Sequence, residues 1–117
     1  MSGLVSYHAG LSAEGAVERH YAARGHDVLA RRWRGSGGEI DLILQDGDGL
    51  IFVEVKKSRD FARAKERLSR AQYMRIWGTA QEYLANAPKG LDTDVRLDLA
   101  LVDGTGRIEL VQNVIFD

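Results

Sequence analysis

Glu39, Asp41, Glu54 and Lys56 are the residues whose types and spacing could do chemistry. They fall on the polar positions of GGEIDLILQDGDGLIFVEVKKS, Gly37 to Ser58, where two alternating apolar and polar runs flank a DGDG turn. A four-residue turn over Asp46 to Gly49 sets Gln45 opposite Leu50; carried back along the hairpin, the register sets Asp41 opposite Glu54 and Glu39 opposite Lys56. Alternation then places these four on one face with Ile43 and Phe52, and Ile40, Leu42, Leu44, Ile51, Val53 and Val55 on the other.

Two carboxylates opposed across a hairpin, about 5 Å apart, repel by roughly 3 kcal/mol at an effective dielectric near 20. A neighbouring Arg or Lys, or plain solvent, could offset this. A divalent cation bridging Asp41 and Glu54 could do so too, with Lys56 reaching a water or phosphate beside it. The chain has no cysteine, and His8, His20 and His26 have no mutual spacing for a metal site, so any such ion is a hard one, Mg²⁺ or Mn²⁺.

The elements that must position these groups follow from periodicity. LSAEGAVERHYAAR, Leu11 to Arg24, reads as a helix with Ser12 as cap, Glu14 in the first turn and Gly25 as the stop. Asp27 to Arg34 reads as a strand, and the hairpin supplies two more. Ser58 to Arg67 reads as a charged loop or short helical turn. A long helix then runs from Ser69 to about Asn86 on the stripe Tyr73, Ile76, Trp77, Ala80, Tyr83, Leu84 and Ala87, with Pro88 beyond it. Strands are predicted from Val95 to Leu101 and from Ile108 to Phe116. The order α-β-β-β-α-β-β implies a single-domain α/β sandwich over residues 1–117, with a central mixed β-sheet of about five strands and flanking helices.

The net charge of −1 conceals a local excess. Residues 56–75 hold eight Lys or Arg (Lys56, Lys57, Arg59, Arg63, Lys65, Arg67, Arg70, Arg75) against Asp60 and Glu66. Arg31, Arg32 and Arg34 stand just before the hairpin. Such clustering suits a phosphate-facing surface, though a solvated charged face is the plain alternative. No apolar run approaches the roughly 20 residues of a bilayer span, and MSGLVSYHAG lacks the pattern of a signal peptide, so a cytoplasmic protein with no membrane association is expected. Trp33 and Trp77 could stack on bases; Trp77 lies in the apolar stripe and reads as core, whereas Trp33, among arginines, stays open. Asp98 reads as an intrastrand partner of Arg96.

Asp41 followed after a turn by Glu54-Val55-Lys56 resembles the PD-(D/E)xK signature of the restriction-endonuclease-like superfamily. GGEIDLI, FVEVK, the preceding AEGAVERHYAARG and the following RLSRAQ resemble the YraN-like family in particular, which is similar to the Holliday-junction resolvases. The resemblance implies a restriction-endonuclease-like fold and a Mg²⁺- or Mn²⁺-dependent endonuclease acting on nucleic acid, expected to be DNA and branched or structured. It implies that Asp41 and Glu54 bind the metal with the carbonyl of Val55, and that Lys56 orients or deprotonates the attacking water. Glu14 matches an acidic position that completes the metal site in related nucleases; a first-turn Glu complementing the helix dipole is the other reading. Glu39 belongs to the string, where it either supports the site or pairs with Lys56. Gln72 matches a phosphate-contacting glutamine, alongside a candidate nucleic-acid surface of Arg34, Lys57, Arg59, Arg63, Lys65, Arg67 and Arg70. Lys57-Ser58 departs from the Thr-Arg usual after VEVK, a change on the opposite face from Lys56. A non-catalytic nucleic-acid-binding module on the same fold is the alternative. Resolving a junction would need two sites, which makes a homodimer attractive.

Overall fold

The structure, a computed structural model, describes residues 3–66 and 68–116. The chain forms α1 (Gly3–Ala22), β1 (Val28–Arg34), β2 (Glu39–Asp46), β3 (Gly49–Lys57), α2 (Phe61–Glu66), α3 (Arg70–Leu84), a 3₁₀ turn (Gly90–Asp92), β4 (Val95–Val102) and β5 (Ile108–Val111). The strands lie side by side in chain order. All neighbours are antiparallel except β3 and β4, which are parallel. A parallel pair needs a crossover, and α2 and α3 provide it. The expected mixed five-stranded α/β sandwich is therefore present.

One face of the sheet is covered by α1 and the other by α3 together with α2, whose Phe61 packs on the same cluster. On the first, Ala13, Val17 and Tyr21, spaced four apart on α1, are buried against Leu42, Leu44, Ile51, Val53, Ala100 and Val102. On the second, Ile76, Ala80 and Leu84 of α3 close over Ile43, Phe52, Leu97, Leu99 and Leu101. Each large side chain so buried contributes about 1.5–3 kcal/mol. Trp33 and Trp77 both pack against this second cluster, Trp33 edge-on to Tyr83 and Trp77 edge-on to Phe52.

The hairpin closes in the expected register, Gln45 opposite Leu50 and Asp46 opposite Gly49. Gly47 takes φ 59° at the first position of the tight turn, a conformation that favours glycine. Three boundaries differ from the sequence reading. The first helix begins at Gly3 rather than Leu11, so Ser12 lies inside it and Glu14 is not in its first turn. Ser69 caps α3, accepting from the Gln72 N–H at 3.1 Å, and α3 ends at Leu84 rather than about Asn86. The last strand ends at Val111, because the chain beyond it turns inward: the Asn113 N–H donates to Asp98 at 3.0 Å and the Val114 N–H to the Leu97 carbonyl at 2.7 Å. Phe116 then stacks on Tyr73, ring centroids 4.8 Å apart.

Asp98 is fully buried, and the expected pairing with Arg96 is only part of its environment. It accepts from Arg96 Nε at 3.1 Å, from the Tyr21 hydroxyl at 2.7 Å and from the Asn113 N–H. Burial, then the bond to Asp98, holds the Tyr21 hydroxyl well above its ordinary pKa, so it stays a donor. This carboxylate joins α1, β4 and the segment after β5. Among the described residues no helix is long and apolar enough to cross a membrane.

Candidate functional site

The carboxylates sit where the hairpin forks. The β2–β3 ladder runs from Asp46↔Gly49 only as far as Leu42↔Val53. Beyond that, β2 stays with β1 through Arg34↔Glu39, while β3 stays with β4 through Lys57↔Val102. Asp41 fills the gap with its side chain: Oδ2 accepts from the Val55 N–H at 2.8 Å. The Glu54 carboxyl lies close enough for Asp41 to raise its pKa. The expected juxtaposition of Asp41 and Glu54 is thus present, made by side chains at the end of a ladder rather than by a continuous pair of strands.

Burial pushes the Glu54 carboxyl up to about 9, with the hydrogen bond and charge of Asp41 adding to it and Lys56 opposing it. Burial and the neighbouring Asp41 thus bias Glu54 toward its protonated form. A hard cation placed between the two carboxyls would offset the repulsion that raises Glu54. Among the described residues no group of three or more His, Cys, Asp or Glu side chains converges to hold a metal. Two carboxylates and a backbone carbonyl nevertheless suit Mg²⁺, which commonly takes one or two carboxylates and completes its shell with water and substrate phosphate.

An open cleft of about 280 Å³ adjoins the fork, lined by Gly37, Gly38, Glu39, Glu54, Gln72, Arg75 and Ile76. α3 brings Gln72 and Arg75 there by their spacing of three on a helix packed over β2. The Gly35–Gly38 turn is clamped onto α3 by Glu82, whose carboxylate accepts from the Ser36 N–H at 3.1 Å and the Ser36 hydroxyl at 2.7 Å. A Cβ on Gly38 would lie 2.9 Å from Thr79 Oγ1, so glycine lets the turn lie this close.

Three placements depart from expectation. Ile40 packs with Ile43 and Phe52 on the α3 face rather than with Leu42, because strict alternation lapses where the ladder ends. Glu39 pairs with Arg34 at 3.1 Å, its partner in the β1–β2 register, instead of facing Lys56. Glu14 is not brought to the fork: its carboxylate makes a two-point pair with Arg32 at 3.0 and 3.2 Å, next to the Glu18–Arg31 pair that also ties α1 to β1. Arg32 stands at the level of Asp41, between Arg31↔Leu42 and Trp33↔Ile40, with the unusual φ of 48°.

Of the expected nucleic-acid surface, Lys57, Arg59, Arg70 and Arg34 are exposed and Gln72 lines the cleft. Arg67 and the side chains of Arg63 and Lys65 lie outside the described residues. Arg75 was visible in the sequence only as one charge of the basic run. Its spacing from Gln72 was the signal that it shares the cleft.

Residues 13–102, most of the chain, match the family described as Uncharacterised protein family UPF0102. The chain belongs to this family. It is 57% identical to a UPF0102 protein of Cereibacter sphaeroides over 97% of both chains. It is 55% identical to one of Ruegeria pomeroyi, covering 90% of this chain and 85% of that one. A third, from Dinoroseobacter shibae, is 53% identical over 91% of this chain and 79% of its own. The UPF0102 match takes in the fork, the cleft and the basic stretch between them.

Proposed function

We propose that this UPF0102 protein is a metal-dependent endonuclease of the restriction-endonuclease-like PD-(D/E)xK superfamily, YraN-like in its motif, that hydrolyses phosphodiester bonds in branched or otherwise structured DNA. The observation that carries the reading is the fork: Asp41 and Glu54 brought together where the β2–β3 ladder ends, with Lys56 two residues outward on the same strand and a cleft bearing Arg75 and Gln72 alongside. Surface ion pairing would not raise a carboxyl this far; such perturbation concentrates at functional sites.

Asp41, Glu54 and the Val55 carbonyl would hold Mg²⁺ or Mn²⁺. Bound there, the ion supplies charge neutralisation at the scissile phosphate and acidifies water. The Asp41 carboxylate is aimed by its bond to the Val55 N–H, so it enters the site already oriented. Lys56 directs the attacking water or takes its proton. Arg75 and Gln72 hold the phosphate from the α3 side, and the basic residues from Lys57 to Arg70 follow the backbone away from it. Glu39 stays with Arg34, and Glu14 would join the ligands only by releasing Arg32.

With Mg²⁺ or Mn²⁺, the purified protein should cleave branched, flapped or single-stranded DNA. Asp41→Ala and Lys56→Ala should each slow cleavage by about 10²-fold or more. Undiminished cleavage by the double variant would remove the enzymatic reading. A second reading, a non-catalytic nucleic-acid-binding module, draws on the engagement of Glu14 by Arg32, which leaves two acidic side chains at the fork. It predicts salt-dependent DNA binding with no divalent-cation binding that needs Asp41 and Glu54.

A further inference from the structure

We propose that a second cavity, at the turn end of the hairpin, receives one unstacked nucleobase of the bound strand. This rests on the nucleic-acid reading and narrows its substrate to DNA with an unpaired or easily frayed nucleotide near the scissile phosphate.

The cavity measures about 440 Å³, within the range of about 300–1,000 Å³ typical of small-ligand sites. Trp33 and Tyr83 give it two aromatic walls meeting at 85°, ring centroids 5.3 Å apart. A flat base can lie on one ring and abut the other. Gln45 and Leu50, directly paired across the hairpin, also line it. Nε2 of Gln45 donates to the Gly47 and Gly49 carbonyls, which leaves its Oε1 as an acceptor. The exposed Asn86 and Lys89 add a hydrogen-bonding rim. Flat apolar walls with a polar rim match a heteroaromatic ring that carries donors and acceptors on its edge.

Position links the cavity to the fork. Leu50 and Glu54 share one face of β3 four residues apart, about 13 Å along the strand. α3 spans the same interval from Gln72 in the cleft to Tyr83 in the cavity, about 16 Å. At about 3.4 Å per nucleotide along a DNA strand, a phosphate at Glu54 puts a base a few nucleotides away within reach. The Gly35–Gly38 turn rims the cleft on the way, and a Cβ built on Gly37 would meet nothing within 4 Å, so the surface there is open. A paired, stacked base cannot enter such a pocket without unstacking.

The test is equilibrium binding in EDTA, with no cleavage read. The full chain is titrated against short single-stranded oligonucleotides in which each position in turn is replaced by an abasic site or by 2-aminopurine. One position should lose roughly tenfold in affinity when abasic, and 2-aminopurine there should be quenched on binding. Asn86→Ala, on the exposed rim, and Trp33→Leu, with its fold checked by thermal unfolding, should shrink that tenfold difference. Equal affinity for abasic and intact strands at every position would overturn the pocket, as would a difference that both variants leave unchanged. Base-dependent binding in a protein that cleaves nothing keeps the pocket and retires the nuclease; cleavage with base-indifferent binding does the reverse. No binding to any strand at low salt retires both.

Discussion

Asp41→Asn is expected to stabilise the metal-free protein while ending its ability to hold a cation. Burial and Asp41 raise the Glu54 carboxyl from 4.5 to about 9 in the folded protein. Between those values the folded state holds a proton that the unfolded chain has released. The associated stability is therefore fully present below about pH 4.5 and is lost as pH rises toward 9, with a slope of up to about 1.4 kcal/mol per pH unit. Asparagine keeps an oxygen for the Val55 N–H, offers Glu54 an N–H donor and removes the neighbouring charge that helps raise Glu54, so less stability is lost as pH rises. At pH 8 in EDTA the variant should be more stable than the parent by about 1–3 kcal/mol, with the difference closing toward pH 5. Urea unfolding across this range, with an unchanged denaturant slope, measures it. A variant no more stable than the parent at pH 8, or equally favoured at pH 5 and 8, would refute the reasoning.

Tyr21→Phe removes one donor from the buried Asp98 and should destabilise the fold by about 1–3 kcal/mol, read as a lower urea midpoint. Arg75→Ala should weaken DNA binding across sequences and reduce the slope of log affinity against log salt by about one unit. Fluorescence anisotropy over a salt series measures this, and an unchanged slope would take Arg75 off the phosphate path. Lys56→Ala should lose cleavage yet still bind Mn²⁺, since its ammonium is not a ligand; calorimetry on the inactive variant separates the two.

Much of the site was legible because a tight turn propagates register. The DGDG turn fixes Gln45 opposite Leu50, and the observed pairs follow from it as far as Leu42 opposite Val53, one position short of Asp41 and Glu54. The fork was not legible, because where the ladder stops depends on β1 and β4 competing for the two hairpin strands, a contest between residues far apart in sequence. Ile40 changed faces for the same reason. The partner of Glu14 was hidden because no local pattern links Glu14 to Arg32, eighteen residues on and in another element. The sheet and α3 were readable from alternation and helical stripe. The start of α1 and the end of β5 were not: the latter is set by the reach of Asn113 to Asp98 rather than by its own periodicity.

Mn²⁺ titration by calorimetry near pH 7, repeated in two buffers of different ionisation enthalpy, tests the Asp41–Glu54 pair most directly. It should show one site, lost in Asp41→Ala and in Glu54→Ala, with about one proton released per ion as Glu54 gives up its hydrogen. Binding that survives both substitutions, or an absence of binding in the parent, would contradict the assignment of these carboxyls to a cation.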